Sequence, residues 1–131
     1  MSPRASRSGL RRAGLIFAFL WFAIGGVAHF AATPLEMSIV PPYIPYPHAV
    51  VLVSGVFELL GATGLLWSAT RRSAAWGLFA LTVAVTPANL YMLQRPDHFG
   101  IAVWVLVARL FLQVGLLALI QWGTQRDPAR A

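Results

Sequence analysis

The sequence contains no cysteine and only four acidic residues among its 131 positions. The lack of cysteine excludes disulfides, thiolate catalysis and thiolate metal sites within this chain. Any redox role therefore needs a bound cofactor or a partner protein. Charged residues of both signs make up 11% of the chain, which is well below the share in an ordinary soluble domain.

Hydrophobic residues make up 58% of the chain, and the mean hydropathy of the chain is +0.69. A helix needs about 20 apolar residues to cross a bilayer. Four segments reach that length, at residues 13–32, 48–69, 74–93 and 101–122. We therefore predict an all-α integral membrane protein with four transmembrane spans.

The connections between the spans are short, so consecutive spans should be antiparallel neighbours in a four-helix bundle. Residues 1–12 form a basic N-terminal tail, residues 13–122 the transmembrane domain, and residues 123–131 a C-terminal tail. An alternative treats the first span as a cleaved signal peptide. Its apolar run exceeds the about 7–15 residues of a signal core, which favours retention.

The net charge of +6 has an explanation in membrane topology. Cytoplasmic segments of membrane proteins carry an excess of Arg and Lys. With four crossings, one loop arginine lies outside, at Arg95, and eight fall on the other side: Arg4, Arg7, Arg11, Arg12, Arg71, Arg72, Arg126 and Arg130. We expect both termini in the cytoplasm, contact with anionic lipids, and no nucleic-acid partner.

Two ionisable residues lie inside predicted spans, Glu58 in the second and Arg109 in the fourth. Such residues are costly in hydrocarbon and usually face the protein interior, so we expect each to be the other's partner. The pair is either a functional site or a structural ion pair. By depth, His29 and Asn89 should lie above it and Gln113 below it, in one polar column. The amides are expected to join helices or to bind a ligand.

The connection between the first two spans contains five prolines in residues 33–47 and is otherwise largely apolar. Proline excludes a regular helix through its Pro-rich part. It either anchors the protein at the interface through tyrosines, or forms a lid over a cavity through Pro41, Pro42, Tyr43 and Pro45. The loop residues show no metal-ligand spacing, and we expect no metal site.

Several short motifs occur in an order that resembles the DoxX-like small membrane proteins of bacteria, from about residue 14 to residue 122. They are His29-Phe30, the run from Val40 to Pro45, Ser54-Gly55 with Glu58 and Gly61, Arg72 with Ala75-Trp76-Gly77, Pro87-Ala88-Asn89, and Arg109 with Gln113. The resemblance implies a four-helix bundle in the bacterial plasma (inner) membrane, with an association with quinone-linked redox complexes in some relatives.

Three functions compete. The first is an accessory subunit of a membrane redox system, with a quinone or another lipophile in the polar column and a membrane or periplasmic oxidoreductase as partner. The second is a non-enzymatic scaffold or assembly factor, in which the Glu58–Arg109 pair is purely structural. The third is a small transporter or lipophile isomerase, working as a homo-oligomer. We do not expect the chain to be an enzyme on its own, and no covalent cofactor is implied.

Overall fold

A computed structural model describes residues 3–124, and within this range the chain is helical with no strand. Four long helices are apolar enough to cross a membrane. Two short helices lie in connections between them. In chain order the elements are α1 (Pro3–Ala31), α2 (Thr33–Ser38), α3 (Pro47–Gly64), α4 (Arg71–Gln94), α5 (Pro96–Phe99) and α6 (Val103–Thr124).

The helices differ from the predicted spans in their ends and in their number. Helix α1 continues back through most of the basic tail, to Pro3, because the proline of the tail stands at the first helical position, where it is tolerated. Helices α2 and α5 were not predicted, and both begin with a proline within their first two positions, where its missing N–H costs nothing. Residues 1–2 and 125–131, with Arg126 and Arg130 of the C-terminal tail, lie outside the described residues.

Helix α3 ends at Gly64, five residues before the predicted boundary at residue 69. Two side chains that follow the helix donate hydrogen bonds to carbonyls at its C-terminal end. The Thr70 hydroxyl donates to the Gly64 carbonyl at 2.8 Å, and Arg71 Nε donates to the Leu65 carbonyl at 2.8 Å. These bonds satisfy orphan acceptors at the helix C-terminus and so stabilise an early stop.

The four long helices pack in a ring of contacts. Helix α1 lies against α3 and α6, and α4 lies against the same two helices. One end of the ring carries Arg11, Arg12, Arg71 and Arg72, and we call it the arginine-rich end. The opposite end carries the connection of residues 39–46, and we call it the proline-rich end.

The buried core occupies the arginine-rich half of the ring. Its largest fully buried side chains include Leu65, Leu78 and Ile120, which come from three different helices or their ends. Ala18 and Phe22 of α1 complete the layer. The core here combines small and large apolar residues, whereas the proline-rich half is organised around polar side chains.

Glycines allow α1 and α3 to approach closely. A Cβ atom added at Gly26 would lie 2.7 Å from Cγ of Leu59, and one added at Gly55 would lie 2.7 Å from Cβ of His29. Such distances are shorter than real Cβ contacts, so only glycine fits at either position. Close approach through small residues is a common way for membrane helices to associate. It brings the side chains of α1 within reach of those of α3.

We expect Gly55→Ala to destabilise the protein, by about 1–3 kcal/mol, because the added methyl group must displace His29 and the Phe30 ring. Unfolding by SDS in mixed micelles measures this. The matched control is Gly77→Ala, where an added Cβ would meet no atom within 4 Å. It should be neutral or slightly stabilising, since alanine is the better helix former. Equal effects of the two substitutions would contradict the packing described here.

Candidate functional site

A cavity of about 500 Å³ lies between the long helices in the proline-rich half. Its volume is within the usual range for small-molecule sites, about 300–1,000 Å³. Most of the lining is apolar, including Phe22, Val51 and Leu116. Eight polar or charged residues also contribute to the wall: His29, Glu36, Ser54, Glu58, Thr82, Asn89, Arg109 and Gln113. The cavity therefore combines a large apolar surface with a few polar groups.

His29 of α1 and Glu58 of α3 form an ion pair on the cavity wall when the imidazole is protonated. Nε2 of His29 lies 3.1 Å from Oε2 of Glu58, and their side chains are only 16% and 13% exposed. Two glycines make the contact possible. A Cβ added at Gly25 would lie 2.6 Å from Oε1 of Glu58, and Gly55 makes the matching space beneath His29. The carboxylate is thus held between the two helices by its partner and by the absence of competing side chains.

Glu58 and Arg109 do not form an ion pair, so the prediction that they are partners is wrong. Glu58 pairs with His29 because α1 lies directly on α3 through the glycines, whereas α6 packs on α1 and α4. Both Glu58 and Arg109 line the cavity. The depths of Glu58 and Arg109 along their helices indicated that the two side chains could meet. The order of the helices around the ring instead places His29 next to Glu58.

Arg109 is exposed and lines the cavity, and its guanidinium forms no hydrogen bond or ion pair with another residue in the described part of the chain. Its position is six residues into α6, about 9 Å along the helix from Val103. A cation within a membrane span usually has a partner or faces a cavity, so Arg109 is an unsatisfied charge of the site. Nδ1 of His29 is a second unsatisfied group, since it is buried without a hydrogen-bond partner among the described residues.

Asn89 and Gln113 are in direct contact and join α4 to α6. Nδ2 of Asn89 donates to Oε1 of Gln113 at 2.5 Å. Nε2 of Gln113 in turn donates to the Thr86 hydroxyl at 2.7 Å and to the Thr82 carbonyl at 3.2 Å. This network is the interhelical role expected of the two amides, and both residues also form part of the cavity wall.

The threonines of this network were missed in the sequence. Thr82, Thr86 and Asn89 recur at intervals of four and three residues, which places them on one face of α4. The Thr82 and Thr86 hydroxyls bond the carbonyls of Leu78 and Thr82, one turn earlier. Their spacing relative to Asn89 was the available signal. Pro87 stands on the same helix and cannot donate to the carbonyl of Val83.

The proline-rich connection forms part of the cavity wall. Pro41 is fully buried and lines the cavity together with Ile39, Val40 and Ile44. The other residues of the predicted lid, Pro42, Tyr43 and Pro45, are exposed. Tyr43 is 74% exposed and Tyr46 is 79% exposed, as side chains anchored at a lipid interface would be. The buried and exposed residues of this segment thus fit the lid and the anchor respectively.

Glu36 of α2, one of the loop residues without metal-ligand spacing, lines the cavity. It lies outside the four spans, at the proline-rich end, on a short helix that packs against α1 and α3. The sequence carried no signal for this, because the position of Glu36 depends on how α2 folds back over the long helices.

The chain belongs to a family defined as a domain of unknown function (DUF8561), whose model matches residues 18–125. The matched range covers all four membrane-length helices beyond the first part of α1. No curated protein and no solved structure matches the chain. The family therefore describes this domain without assigning it an activity, and the resemblance to the DoxX-like proteins stays a prediction.

Proposed function

We propose that this chain is a multi-pass protein of the bacterial inner membrane, an antiparallel four-helix bundle with both termini in the cytoplasm. The distribution of arginine supports this topology, because Arg11, Arg12, Arg71 and Arg72 share one end of the helices. The contacts of Gly26 with Leu59 and of Gly55 with His29 also support it, since the residue numbers fall along α3 as they rise along α1.

The absence of native cysteine makes this topology directly testable. With a membrane-impermeant maleimide on intact cells, a single cysteine introduced by Asp97→Cys should be labelled. One introduced by Ser73→Cys should react only after permeabilisation. Both positions are exposed, so accessibility within the protein does not bias the comparison. The opposite labelling pattern would overturn the orientation.

We further propose that the protein binds a quinone or another lipophile in the cavity, as an accessory subunit of a membrane redox system. The observation that carries the proposal is the combination of a cavity of about 500 Å³, a mostly apolar wall and polar groups contributed by all four long helices. Such a site suits a molecule with a polar head and an apolar tail. The resemblance to the DoxX-like proteins is the reason for naming a quinone.

The cavity residues suit distinct tasks in this proposal. Arg109 has free N–H donors for an oxygen of the head group, and Asn89 adds an amide to the same wall. The His29–Glu58 pair can exchange a proton with a bound head group, because both side chains line the cavity at 3.1 Å from each other. An oxidoreductase partner would supply or remove the electrons, and the chain is not proposed to be an enzyme on its own.

A scaffold or assembly factor is the second candidate, and one observation favours it. The amides of Asn89 and Gln113 bond each other and the backbone of α4, so their donors serve the fold itself. In this case the His29–Glu58 pair would fix the position of α1 on α3 and nothing more.

The test of ligand binding is a substitution that fills the cavity. Ser54 lines the cavity, so Ser54→Phe should abolish retention of a menaquinone or ubiquinone probe, measured by native mass spectrometry from lipid nanodiscs. The matched control is Val53→Phe, since Val53 is 53% exposed and does not line the cavity. The control should bind as the wild type does.

Folding of both variants is checked by gel filtration and circular dichroism before binding is compared. A quinone retained equally by the wild type and by folded Ser54→Phe would contradict binding in the cavity. A clean mass for the wild-type protein with every lipophile would contradict the ligand-binding function and favour the scaffold.

A further inference from the structure

The cavity reaches the protein surface at α1 and α6, because residues of both helices line it and are also exposed. These helices touch closely at the arginine-rich end, where an added Cβ at Gly14 would lie 2.7 Å from Leu119 and one at Gly123 would lie 3.1 Å from Leu15. Arg11 adds a contact there, with its guanidinium carbon 5.6 Å from the centre of the Trp122 ring. Nearer the proline-rich end, the facing surfaces of the two helices line the cavity instead.

Three residues on these surfaces line the cavity and are also exposed, which places them at its rim. Trp21 is 41% exposed and Ile24 is 69% exposed on α1, and Arg109 is exposed on α6. We call the opening between them the α1–α6 cleft. In a membrane this cleft faces the lipid acyl chains, so a bilayer-dissolved molecule can enter without passing through water.

Arg109 is the one cation at this rim, and the acidic residues of the cavity do not neutralise it. Glu58 is paired with His29, and its carboxylate lies against Gly25 of α1. Glu36 lies on α2, beyond the spans, where water screens its charge. The guanidinium therefore presents its full fork of N–H donors to whatever occupies the cleft.

The chemistry of this fork selects a class of ligand. A guanidinium matches the geometry of a carboxylate or a phosphate with two parallel hydrogen bonds. A neutral carbonyl would occupy only part of the fork and would leave the positive charge uncompensated in an apolar setting. An anionic head satisfies both the donors and the charge.

We propose that the ligand of this cavity is an anionic amphiphile, a carboxylate or phosphate head held by Arg109 with an apolar chain that leaves through the α1–α6 cleft into the bilayer. This inference rests on the proposed lipophile-binding function and specifies the head group. A free fatty acid and a single-chain phospholipid share the required chemistry, and the experiment separates them.

The test compares four probes on the full chain in nanodiscs of zwitterionic phosphatidylcholine, with binding measured by native mass spectrometry. They are oleate, oleoyl lysophosphatidate, oleyl alcohol and menaquinone. We expect the wild type to bind at least one of the two anionic probes about tenfold more tightly than the alcohol, since hydrogen bonds between charged groups are stronger than those to a neutral hydroxyl. Preference for oleate indicates a free acid, and preference for lysophosphatidate indicates a lipid head group.

Arg109→Gln should remove that tenfold preference while oleyl alcohol still binds at the wild-type level, which shows that the cavity remains folded. Arg109→Lys should keep part of the preference, because the charge stays and the fork is lost. Arg95→Gln is the matched control. Arg95 stacks over the Tyr91 ring, with its guanidinium carbon 5.7 Å from the ring centre, and is not part of the cavity wall.

Equal binding of the alcohol and both anions by the wild type would overturn the inference, as would an Arg109→Gln variant that kept the preference. Menaquinone bound in the cavity without either anion would overturn this inference and leave the lipophile-binding function standing. Failure of all four probes to bind would contradict both the anionic head group and the lipophile-binding function.

Discussion

The close contact between α1 and α3 is the constraint on which the rest of the site depends. It exists because Gly26 and Gly55 have no side chains, so the two backbones lie nearer than any other residue would allow. His29 then reaches Glu58 at 3.1 Å, and the carboxylate occupies the space that Gly25 leaves. A burial cost that would otherwise be prohibitive for Glu58 is offset by a partner from the neighbouring helix.

This pairing sets the character of the whole cavity. Glu58 is paired with α1, and Asn89 and Gln113 are bonded to each other and to α4. Within residues 3–124, the groups of the polar wall without a hydrogen-bond partner include the Arg109 guanidinium and the buried Nδ1 of His29. The two halves of the protein thus have different tasks. The arginine-rich half is closely packed around Leu78 and Ile120, and the proline-rich half holds a cavity with an unpaired cation at its rim.

Much of the fold could be predicted from the sequence, because hydropathy over about 20 residues determines where a membrane helix can form. The four apolar segments all became membrane-length helices. The helix ends were less predictable. Helix α3 stops at Gly64 because Thr70 and Arg71 cap it, and such caps depend on a turn whose path the sequence pattern does not specify.

The residues of the candidate site could be predicted from the sequence, but the predicted pairing of Glu58 was wrong. His29, Glu58, Asn89, Arg109 and Gln113 all line one cavity, as a polar column required. Helix rise gives the depth of a residue but not which helices are neighbours, so Arg109 was assigned as the partner of Glu58 in place of His29. The small residues Gly25 and Gly55 were the signal for a close α1–α3 contact, and their significance became specific only with the helix order.

The most direct test of this account is a solid-state NMR distance measurement in lipid bilayers, with ¹⁵N-labelled His and Arg and ¹³C-labelled Glu side chains. We predict strong dipolar coupling between His29 Nε2 and the Glu58 carboxylate carbon, as the 3.1 Å contact between Nε2 and Oε2 requires. No resolved coupling should appear between that carbon and the Arg109 guanidinium. Coupling of Glu58 to Arg109 without coupling to His29 would contradict the account, because the cavity would then hold no unpaired cation.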